Sequence, residues 1–508
     1  MPLMYCHAKL KNISQHTVIS AHLFLPDYSP MNRDSFYPAI ACFPLLLMLA
    51  GCAPMHETRQ ALSQHTLAVQ VDTALPTALK NGWPDSQWWL EYHDDQLTSL
   101  INNALQNAPD MQVAEQRIQL AEAQAKAVAT QDGPQLDFSA DMERQKMSAE
   151  GLMGPFALND PAAGTTGPWY TNGTFGLTAG WHLDIWGKNR AEVTARLGTV
   201  KARAAEREQT RQLLAGSVAR LYWEWQTQAA LNTVLQQIEK EQNTIIATDR
   251  QLYQNGITSS VEGVETDINA SKTRQQLNDV AGKMKIIEAR LNALTNHQTK
   301  SLKLKPVALP KVASQLPDEL GYSLLARRAD LQAAHWYVES SLSTIDAAKA
   351  AFYPDINLMA FLQQDALHLS DLFRHSAQQM GVTAGLTLPI FDSGRLNANL
   401  DIAEAESNLS IASYNKAVVE AVNDVARAAS QVQTLAEKNQ HQAQIERDAL
   451  RVVGLAQARF NAGLIAGSRV SEARIPALRE RANGLLLQGQ WLDASIQLTG
   501  ALGGGYKR

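Results

Sequence analysis

Residues 218–227 have the sequence VARLYWEWQT, and residues 425–434, 207 positions later, have the sequence VARAASQVQT. Other residues correspond at the same offset: Gly187/Gly394, Lys188/Arg395, Tyr253–Gly256/Phe460–Gly463 and Glu265/Glu472. A repeat of about 200 residues is far longer than a solenoid unit. The chain is therefore expected to fold as two structural repeats that lie side by side around an axis.

Upstream of residue 187 the offset changes, and the change marks a single insertion. Three residues of the first copy match three of the second 220 positions later: Asp110/Asp330, Gln112/Gln332 and Pro134/Pro354. The two offsets differ by 13 residues (220 − 207). One Gly/Pro-rich insertion in the first copy, around Gly151 to Tyr170, accounts for the difference and is expected to form a loop.

The front of the chain has the pattern of an export signal. Arg33 supplies a short charged region after Met31, and residues 37–50 are almost wholly apolar but too few to span a bilayer. The sequence Leu49-Ala50-Gly51-Cys52 resembles a bacterial lipobox, in which the cysteine is acylated. The alternative is ordinary signal cleavage near Ala50.

Composition limits the class of protein. The 508 residues carry a net charge of −5, which excludes a basic nucleic-acid binder. The cysteines are Cys6, Cys42 and Cys52. After signal cleavage only Cys52 would remain, already acylated, so no disulfide could form and the fold must rely on packing and association.

These patterns divide the chain into seven segments. They are a dispensable leader or over-extended start (1–30), a lipoprotein signal peptide (31–51), a lipid-anchored tether (52–85), the first repeat (86–300), a Pro-containing linker (301–320), the second repeat (321–500) and a tail (501–508). Gly503-Gly504-Gly505 are expected to make the tail flexible.

Each repeat contains very long stretches that permit a helix. No proline occurs between Pro168 and Pro306, or between Pro389 and Pro476. Residues 188–253 alone would form a helix of ~99 Å. Apolar spacing near 3.5 residues favours coiled-coil packing. Each long helix is expected to end at a left-handed glycine, Gly256 in the first copy and Gly463 in the second, and then to turn into a further helix.

Each repeat also contains a predicted β-hairpin, about residues 134–186 in the first and 354–392 in the second. Leu136, Phe138, Ala140 and Met142 alternate with polar residues, while residues 356–362 alternate less cleanly. Alternation over about ten residues is typical of a membrane β-strand, although a half-buried strand of a soluble sheet has the same pattern.

The number of strands favours an oligomer. Two hairpins give four strands, whereas bacterial barrels begin at about eight, and an open edge in lipid leaves backbone groups unpaired. If these strands span a membrane, several chains must share one barrel, and three chains would supply twelve strands (3 × 4). The inserted segment would then be an extracellular loop.

Several strings, in this order and spacing, carry a resemblance to a known family. They are the lipobox, Trp88-Trp89, residues 306–310 (PVALP), 325–331 (LARRADL), 350–354 (AAFYP), 388–395 (LPIFDSGR) and 501–505 (ALGGG). Together they resemble the lipoprotein branch of the outer-membrane efflux-duct family typified by TolC and OprM. The resemblance covers essentially all of the mature chain.

The resemblance implies an α+β membrane protein, a homotrimer with a 12-stranded β-barrel in the outer membrane above a long periplasmic α-barrel of coiled-coil helices. It implies the exit duct of a tripartite multidrug efflux system, which works with a periplasmic adaptor (membrane fusion protein) and an inner-membrane transporter. Neither an enzymatic activity nor a cofactor is expected. The alternatives are an exit duct for secreted proteins or peptides and a non-conducting, lipid-anchored periplasmic scaffold.

The resemblance also assigns site residues. The turns at Gly256 and Gly463 would be the periplasmic tips that contact the adaptor. The family's acidic pore aperture falls on Glu472, and the repeat adds Glu265. Three copies of Glu472 near a three-fold axis would attract cations; the alternative is a solvated glutamate. This chain departs from the family at Ser468, Arg469 and Pro476, and Pro476 is expected to interrupt the helix.

Other features suggest no further chemistry. Gly187-Lys188 lacks the spacing of a phosphate loop, no Gly-x-Ser-x-Gly occurs, and His368 and His375 have no carboxylate at metal-ligand spacing. Arg327-Arg328 is interpreted as a structural ion-pair site. Trp169-Tyr170, Trp181 and Trp186 are candidates for an interfacial girdle, with core packing as the alternative for Trp181 and Trp186.

Overall fold

The computed structural model describes residues 55–56, 61–64, 83–146, 169–257, 259–296, 302–311, 324 and 326–506. These residues belong to one compact unit, Ala53–Arg508. The predicted leader, the signal peptide, Cys52, nearly all of the inserted segment and parts of the tether and linker lie outside the described residues.

The described chain consists of long helices and one small sheet. The helices are α1 (Asp95–Asn107), α2 (Pro109–Ala129), α3 (Lys188–Gln254), α4 (Ser260–Leu294), α5 (Ala329–Ala350), α6 (Arg395–Asn461) and α7 (Gly467–Ala501). The strands are β1 (Gln135–Lys146), β2 (Trp169–Leu183), β3 (Asp355–Ala366) and β4 (Gln378–Thr387).

The duplication is confirmed at the level of single residues. Helices α3 and α6 each contain 67 residues, and α4 and α7 each contain 35. Corresponding helices begin 207 positions apart, at residues 188 and 395 and at residues 260 and 467. Strands β1 and β3 each contain 12 residues and begin 220 positions apart. Each of the two sequence offsets therefore relates elements of equal length in the two copies of the repeat.

A capping carboxylate fixes the start of each long helix. The Asp184 carboxylate accepts hydrogen bonds from the backbone N–H of Asn189 and Arg190, at 3.1 and 2.9 Å. The Asp392 carboxylate accepts from the N–H of Gly394 and Leu396, at 3.0 and 2.7 Å. Because the first N–H groups of a helix lack partners within it, these carboxylates satisfy them and interact favourably with the helix dipole.

The core lies midway along the long helices. One apolar cluster forms where α3 meets α1 and α7, and it includes the buried side chains of Trp89, Leu97 and Tyr222. A second cluster forms where α6 meets α5 and α7, around Val425 and Leu498. Helix α7 contributes to both clusters and so joins the two repeats.

The described part of the linker, residues 302–311, is held against this core by amide side chains. The buried Gln226 donates to the carbonyl of Lys305 at 3.0 Å and accepts from the N–H of Val307 at 2.8 Å. Gln96 accepts from the N–H of Lys305 at 2.8 Å. These bonds satisfy backbone groups of an extended segment that has no strand beside it to pair with.

The sheet has the antiparallel order β1-β2-β3-β4, so the β2–β3 pair joins the hairpins of the two repeats. One row across all four strands is apolar and consists of Phe138, Leu177, Leu362 and Met380. The next row is Ser139, Gly176, Gln363 and Gln379. The sheet therefore has one largely apolar face, in which the row of Ala140, Phe175, Gln364 and Gln378 is the exception, and one more polar face.

The less regular alternation in β3 has a local cause. Phe361 lies on the polar face, opposite Gly381. A Cβ atom added to Gly381 would lie only 2.8 Å from the Phe361 ring, so the ring covers the space that a side chain of β4 would occupy. The aromatic residue thus fills a position that the period-two pattern assigns to a polar one.

The flexible tail expected from the three consecutive glycines is not what the structure shows. Residues 502–505 are buried, and Gly503, Gly504 and Gly505 all have positive φ angles. A Cβ on Gly503 would overlap the carbonyl oxygen of Arg327, and a Cβ on Gly505 would overlap that of Asp85. The glycines therefore let the chain pass between the two repeats, where no larger residue fits.

The arginine pair beside this segment confirms its predicted structural role. The Arg328 guanidinium lies 2.6 Å from the Asp330 carboxylate and 3.6 Å from that of Asp424 on α6. It also donates to the carbonyl of Ala501 at 3.2 Å. One cation, with a side chain only 12 % exposed, thus links α5, α6 and the end of α7.

We predict that Gly505→Ala destabilises the protein by about 1–3 kcal/mol, since the new methyl group meets backbone at a positive φ. Gly500→Ala is the matched control, because nothing lies within 4 Å of its added Cβ and alanine favours a helix. Thermal unfolding in detergent should show a lower midpoint for Gly505→Ala only. Equal midpoints for the two variants would contradict the tight packing.

Candidate functional site

The apolar face of the sheet is unusually exposed. Phe138, Met142, Met380 and Val382 each present two thirds or more of their surface. The strands β1 and β4 form the two edges of this four-stranded sheet. An exposed apolar face beside edges with unpaired backbone groups indicates a surface that is covered in the assembled protein.

Aromatic side chains lie where the sheet meets the helices. The Trp181 Nε1–H donates to the carbonyl of Asp132 at 2.8 Å, and the Trp186 Nε1–H donates to that of Pro354 at 2.8 Å. The Trp186 ring stacks on Tyr353 with a centroid distance of 5.0 Å. Both indoles are exposed and have satisfied N–H groups, so neither is packed in the core of the protomer.

None of the described helices combines the length and the apolar character needed to cross a bilayer. In the same residues, no group of three or more histidine, cysteine, aspartate or glutamate side chains gathers in a metal-binding arrangement.

The predicted left-handed glycines are confirmed at both helix ends. Gly256 and Gly463 each have a φ angle of 72°. The N–H of Ile257 bonds the carbonyl of Leu252, and the N–H of Leu464 bonds that of Arg459, each at 2.9 Å. These bonds form the same Schellman-type cap in both repeats. Each cap leaves an apolar side chain in solvent, since Ile257 is 67 % and Leu464 72 % exposed.

The two predicted aperture carboxylates occupy equivalent positions on separate helices. Glu265 is the sixth residue of α4, and Glu472 is the sixth residue of α7. Glu265 is exposed. Glu472 is half-buried, and its carboxylate accepts a hydrogen bond of 2.7 Å from the Arg469 guanidinium. The Glu472 charge is therefore paired with an opposite charge of the same helix.

Sequence reasoning noted Arg469 but did not pair it with Glu472, although an i,i+3 spacing on a helix is a recognisable signal. Both side chains are substantially exposed, at 68 % and 40 %. Such pairs contribute at most about 1 kcal/mol to stability. The main effect of Arg469 is thus on the local charge rather than on folding.

The expected interruption of the helix at Pro476 is wrong. Helix α7 continues from Gly467 to Ala501 with Pro476 inside it. Since proline has no N–H, it cannot donate to the carbonyl of residue 472, four positions earlier. Packing of α7 against α3 and α6 keeps the helix continuous. The helix nevertheless lacks the backbone hydrogen bond to the carbonyl of Glu472.

Arg474 links three helices near this point, a contact that sequence reasoning missed. Its guanidinium lies 3.3 Å from the Glu241 carboxylate on α3 and donates to the Gln457 amide oxygen on α6 at 3.2 Å. Glu241 is 233 positions away along the chain, so no local pattern could have predicted the pair. One side chain of α7 thus fastens both long helices at the level of Glu472.

Apolar side chains are also exposed along the helices. Examples are Leu120 on α2, Leu213 on α3, and Leu409 and Val419 on α6, each exposed by 60 % or more. Lone exposed apolar residues are ordinary, but a series of them along the same long helices indicates contact with another surface.

The sequence matches a known protein family and known proteins over most of its length. Residues 100–297 and 320–504 match the family described as outer membrane efflux protein. The chain is 98 % identical over 478 residues to the multidrug resistance outer membrane protein MdtQ of Escherichia coli O6:H1, a match that covers 94 % of this chain and all of that protein. It is 36 % identical over 468 residues to MdtP of Shigella flexneri, covering 91 % and 94 % of the two chains.

Solved structures share the fold. The outer membrane channel CmeC of Campylobacter jejuni superposes with a TM-score of 0.76 at 18 % identity, covering 90 % of this chain and 95 % of that one. The outer membrane protein VceC of Vibrio cholerae superposes with a TM-score of 0.70 at 26 % identity, covering 84 % and 100 %. The α+β fold with two repeats is thus the fold of outer membrane channels.

We predict that Gly463→Ala destabilises the turn between α6 and α7 by roughly 1 kcal/mol, because an alanine pays a penalty at a φ of 72°. Gly454→Ala, inside α6 with open space around its Cβ, should leave the turn unchanged. Hydrogen exchange of residues 457–470 would measure the effect. Equal protection in the two variants would show that the turn does not depend on its glycine.

Proposed function

The chain belongs to the outer membrane efflux protein family, and we propose that it forms the exit duct of a tripartite multidrug efflux system, a passive path for drugs and toxic small molecules across the outer membrane. The observation that carries this proposal is the combination of a sheet with one apolar face and two open edges with paired helices of ~100 Å (67 residues each). The sheet supplies a membrane part, and the helices supply a periplasmic extension.

An oligomer follows from the requirements of the strands, and the family resemblance favours a trimer. Four strands cannot close a barrel, and each unpaired backbone group in lipid costs several kcal/mol. Pairing β1 of one protomer with β4 of the next would satisfy both edges, and three protomers would give twelve strands (3 × 4). The same assembly would cover the exposed apolar residues of the helices.

The partners follow from the position of the tips. A passive duct has no energy source of its own, so an inner-membrane transporter has to supply it, with a periplasmic adaptor that joins the two. The turns at Gly256 and Gly463 present Ile257 and Leu464 to solvent, and these apolar side chains are suitable contacts for the adaptor. Acylation of Cys52 would anchor the N-terminus to outer-membrane lipid.

The aperture would lie near Glu472, with Glu265 contributing from the first repeat. In a trimer, three Arg469–Glu472 pairs would form a ring of both charges rather than an acidic ring. Repulsion of anions by Glu472 would be offset by Arg469, since the two groups lie 2.7 Å apart. The ring of this chain should therefore discriminate between cations and anions less than an acidic ring does.

The purified protein, reconstituted in a planar bilayer under a KCl gradient, is expected to give discrete single-channel steps. Arg469→Gln should raise the preference for potassium over chloride by on the order of a few-fold, because three negative charges lose their counter-charges. Glu472→Gln should shift the preference in the opposite direction. The double variant should return close to the unmodified protein.

Arg459→Gln is the matched control, because Arg459 is exposed in the last turn of α6, next to the same tip. It should leave the reversal potential unchanged. An inserted trimer without current in any variant would favour a non-conducting scaffold over a duct. Conductance with the same reversal potential in all variants would support the duct but contradict the role of Glu472 in the aperture.

A further inference from the structure

Two described pieces of the N-terminal tether, residues 55–56 and 61–64, lie along α6. The backbone N–H of His56 donates to the Asn397 Oδ1 atom at 3.3 Å. The His56 ring contacts the same oxygen through Nδ1 at 2.8 Å and the Asp401 carboxylate through Nε2 at 3.1 Å. This contact lies at the first turn of α6, next to the sheet.

The second piece lies further along the helix. The N–H of Leu62 donates to the Asn408 Oδ1 atom at 2.9 Å, and the Asn415 Nδ2 donates to the carbonyl of Ser63 at 3.0 Å. From Asn397 to Asn415 the helix rises ~27 Å. The seven residues from His56 to Ser63 span ~24 Å when extended. The two described pieces therefore contact successive levels of the same helix.

The helix residues that bind the tether share one face. They are Asn397, Asp401, Asn408 and Asn415, at spacings of four and seven residues, and all four are half-buried. We propose that these four residues form a docking track for the tether, and that the protonated imidazole of His56 is the latch at the end nearest the sheet. His56 lies four residues after Cys52 in the sequence, so the latch would fix the tether close to its lipid.

The asparagines bind the tether through its backbone. Leu62 and Ser63 contribute an N–H and a carbonyl, which every residue except proline possesses. Such contacts hold an extended chain whatever its side chains are. His56 is different, because its ring makes two hydrogen bonds of its own and thereby fixes the register of the tether on the track.

The geometry requires a protonated ring. The Asn397 Oδ1 atom accepts from the backbone N–H of His56, which identifies it as the amide oxygen. The ring therefore faces an acceptor at Nδ1 and a carboxylate at Nε2, and only an imidazolium donates from both nitrogens. Hydrogen bonds from His56 to Asn397 and Asp401, and the charges of Asp401 and Glu404, raise the pKa of His56 above its usual 6.5.

The other charged residues nearby come from α5. That helix packs against the first turns of α6 through Ile345 and Ala348, and it carries Asp346 and Lys349 there. Neither of these two contributes to the shift of His56. Since the pKa of the docked histidine is raised, the latch should be fully closed below pH 6.5 and lost as the pH rises through the raised value.

The test is hydrogen exchange of the tether in the full-length trimer, reported as protection corrected for the intrinsic rate at each pH. Asn408→Ala/Asn415→Ala should reduce protection of residues 61–64 by roughly tenfold at pH 6, where the latch is closed, because two hydrogen bonds are lost. Asn399→Ala is the matched control, an exposed residue of the same helix outside the track. It should change nothing.

The latch is tested separately. The unmodified protein should lose protection of residues 55–64 as the pH rises from 6.5 through the raised pKa of His56, whereas His56→Gln should show low protection without that pH dependence. Unchanged exchange of α6 peptides would verify that the variants fold. Equal protection in Asn408→Ala/Asn415→Ala and Asn399→Ala would overturn the track, and pH-independent protection in the unmodified protein would overturn the latch.

Discussion

Backbone hydrogen bonding at the two edges of the sheet is the constraint on which the architecture depends. The β2–β3 pair satisfies the inner edges of both hairpins within one chain, but β1 and β4 each present one side without a partner strand among the described residues. In water such an edge is tolerable; in lipid it is not. The fold therefore makes sense as one part of a closed ring, and the exposed apolar residues of the helices point to the same conclusion.

Side-chain amides and charged groups hold the linker and the helices of the two repeats together. Gln226 and Gln96 satisfy the extended linker, and Arg474 joins α7 to both long helices. At the tips the two repeats keep the same backbone but differ in charge, since Arg469 and Arg474 correspond to Glu262 and Asp267. Duplication thus gave one scaffold, and substitution within it gave the two tips different charges.

Much of this fold could be predicted from the sequence, because its signals are local and periodic. Helix lengths followed from the absence of proline and the spacing of apolar residues, and the tips followed from Gly256 and Gly463. The family resemblance supplied the trimer and the aperture, which a single chain does not contain. The features that were missed depend on contacts between distant residues. Nothing in Gly503–Gly505 indicates that Arg327 and Asp85 enclose them, and nothing near Arg474 indicates Glu241.

The limits of local reasoning are clearest where two rules conflict. Proline normally ends a helix, yet α7 passes through Pro476 because its neighbours hold it on both sides. Phe361 breaks the alternation of β3 because Gly381 leaves room for its ring. In both places the surrounding tertiary packing determines the local structure, and the local sequence pattern alone does not predict it.

The equal lengths of the paired helices restrict how such a protein can change during evolution. Deleting one heptad from α3 alone would draw its tip back by ~10 Å and leave the tip of α6 projecting beyond it. Level tips would be restored only if α4, α6 and α7 lost the same number of residues. Variation in the depth of the duct therefore requires matched changes at four separate places in the gene, whereas the inserted segment of the first hairpin can vary in length by itself.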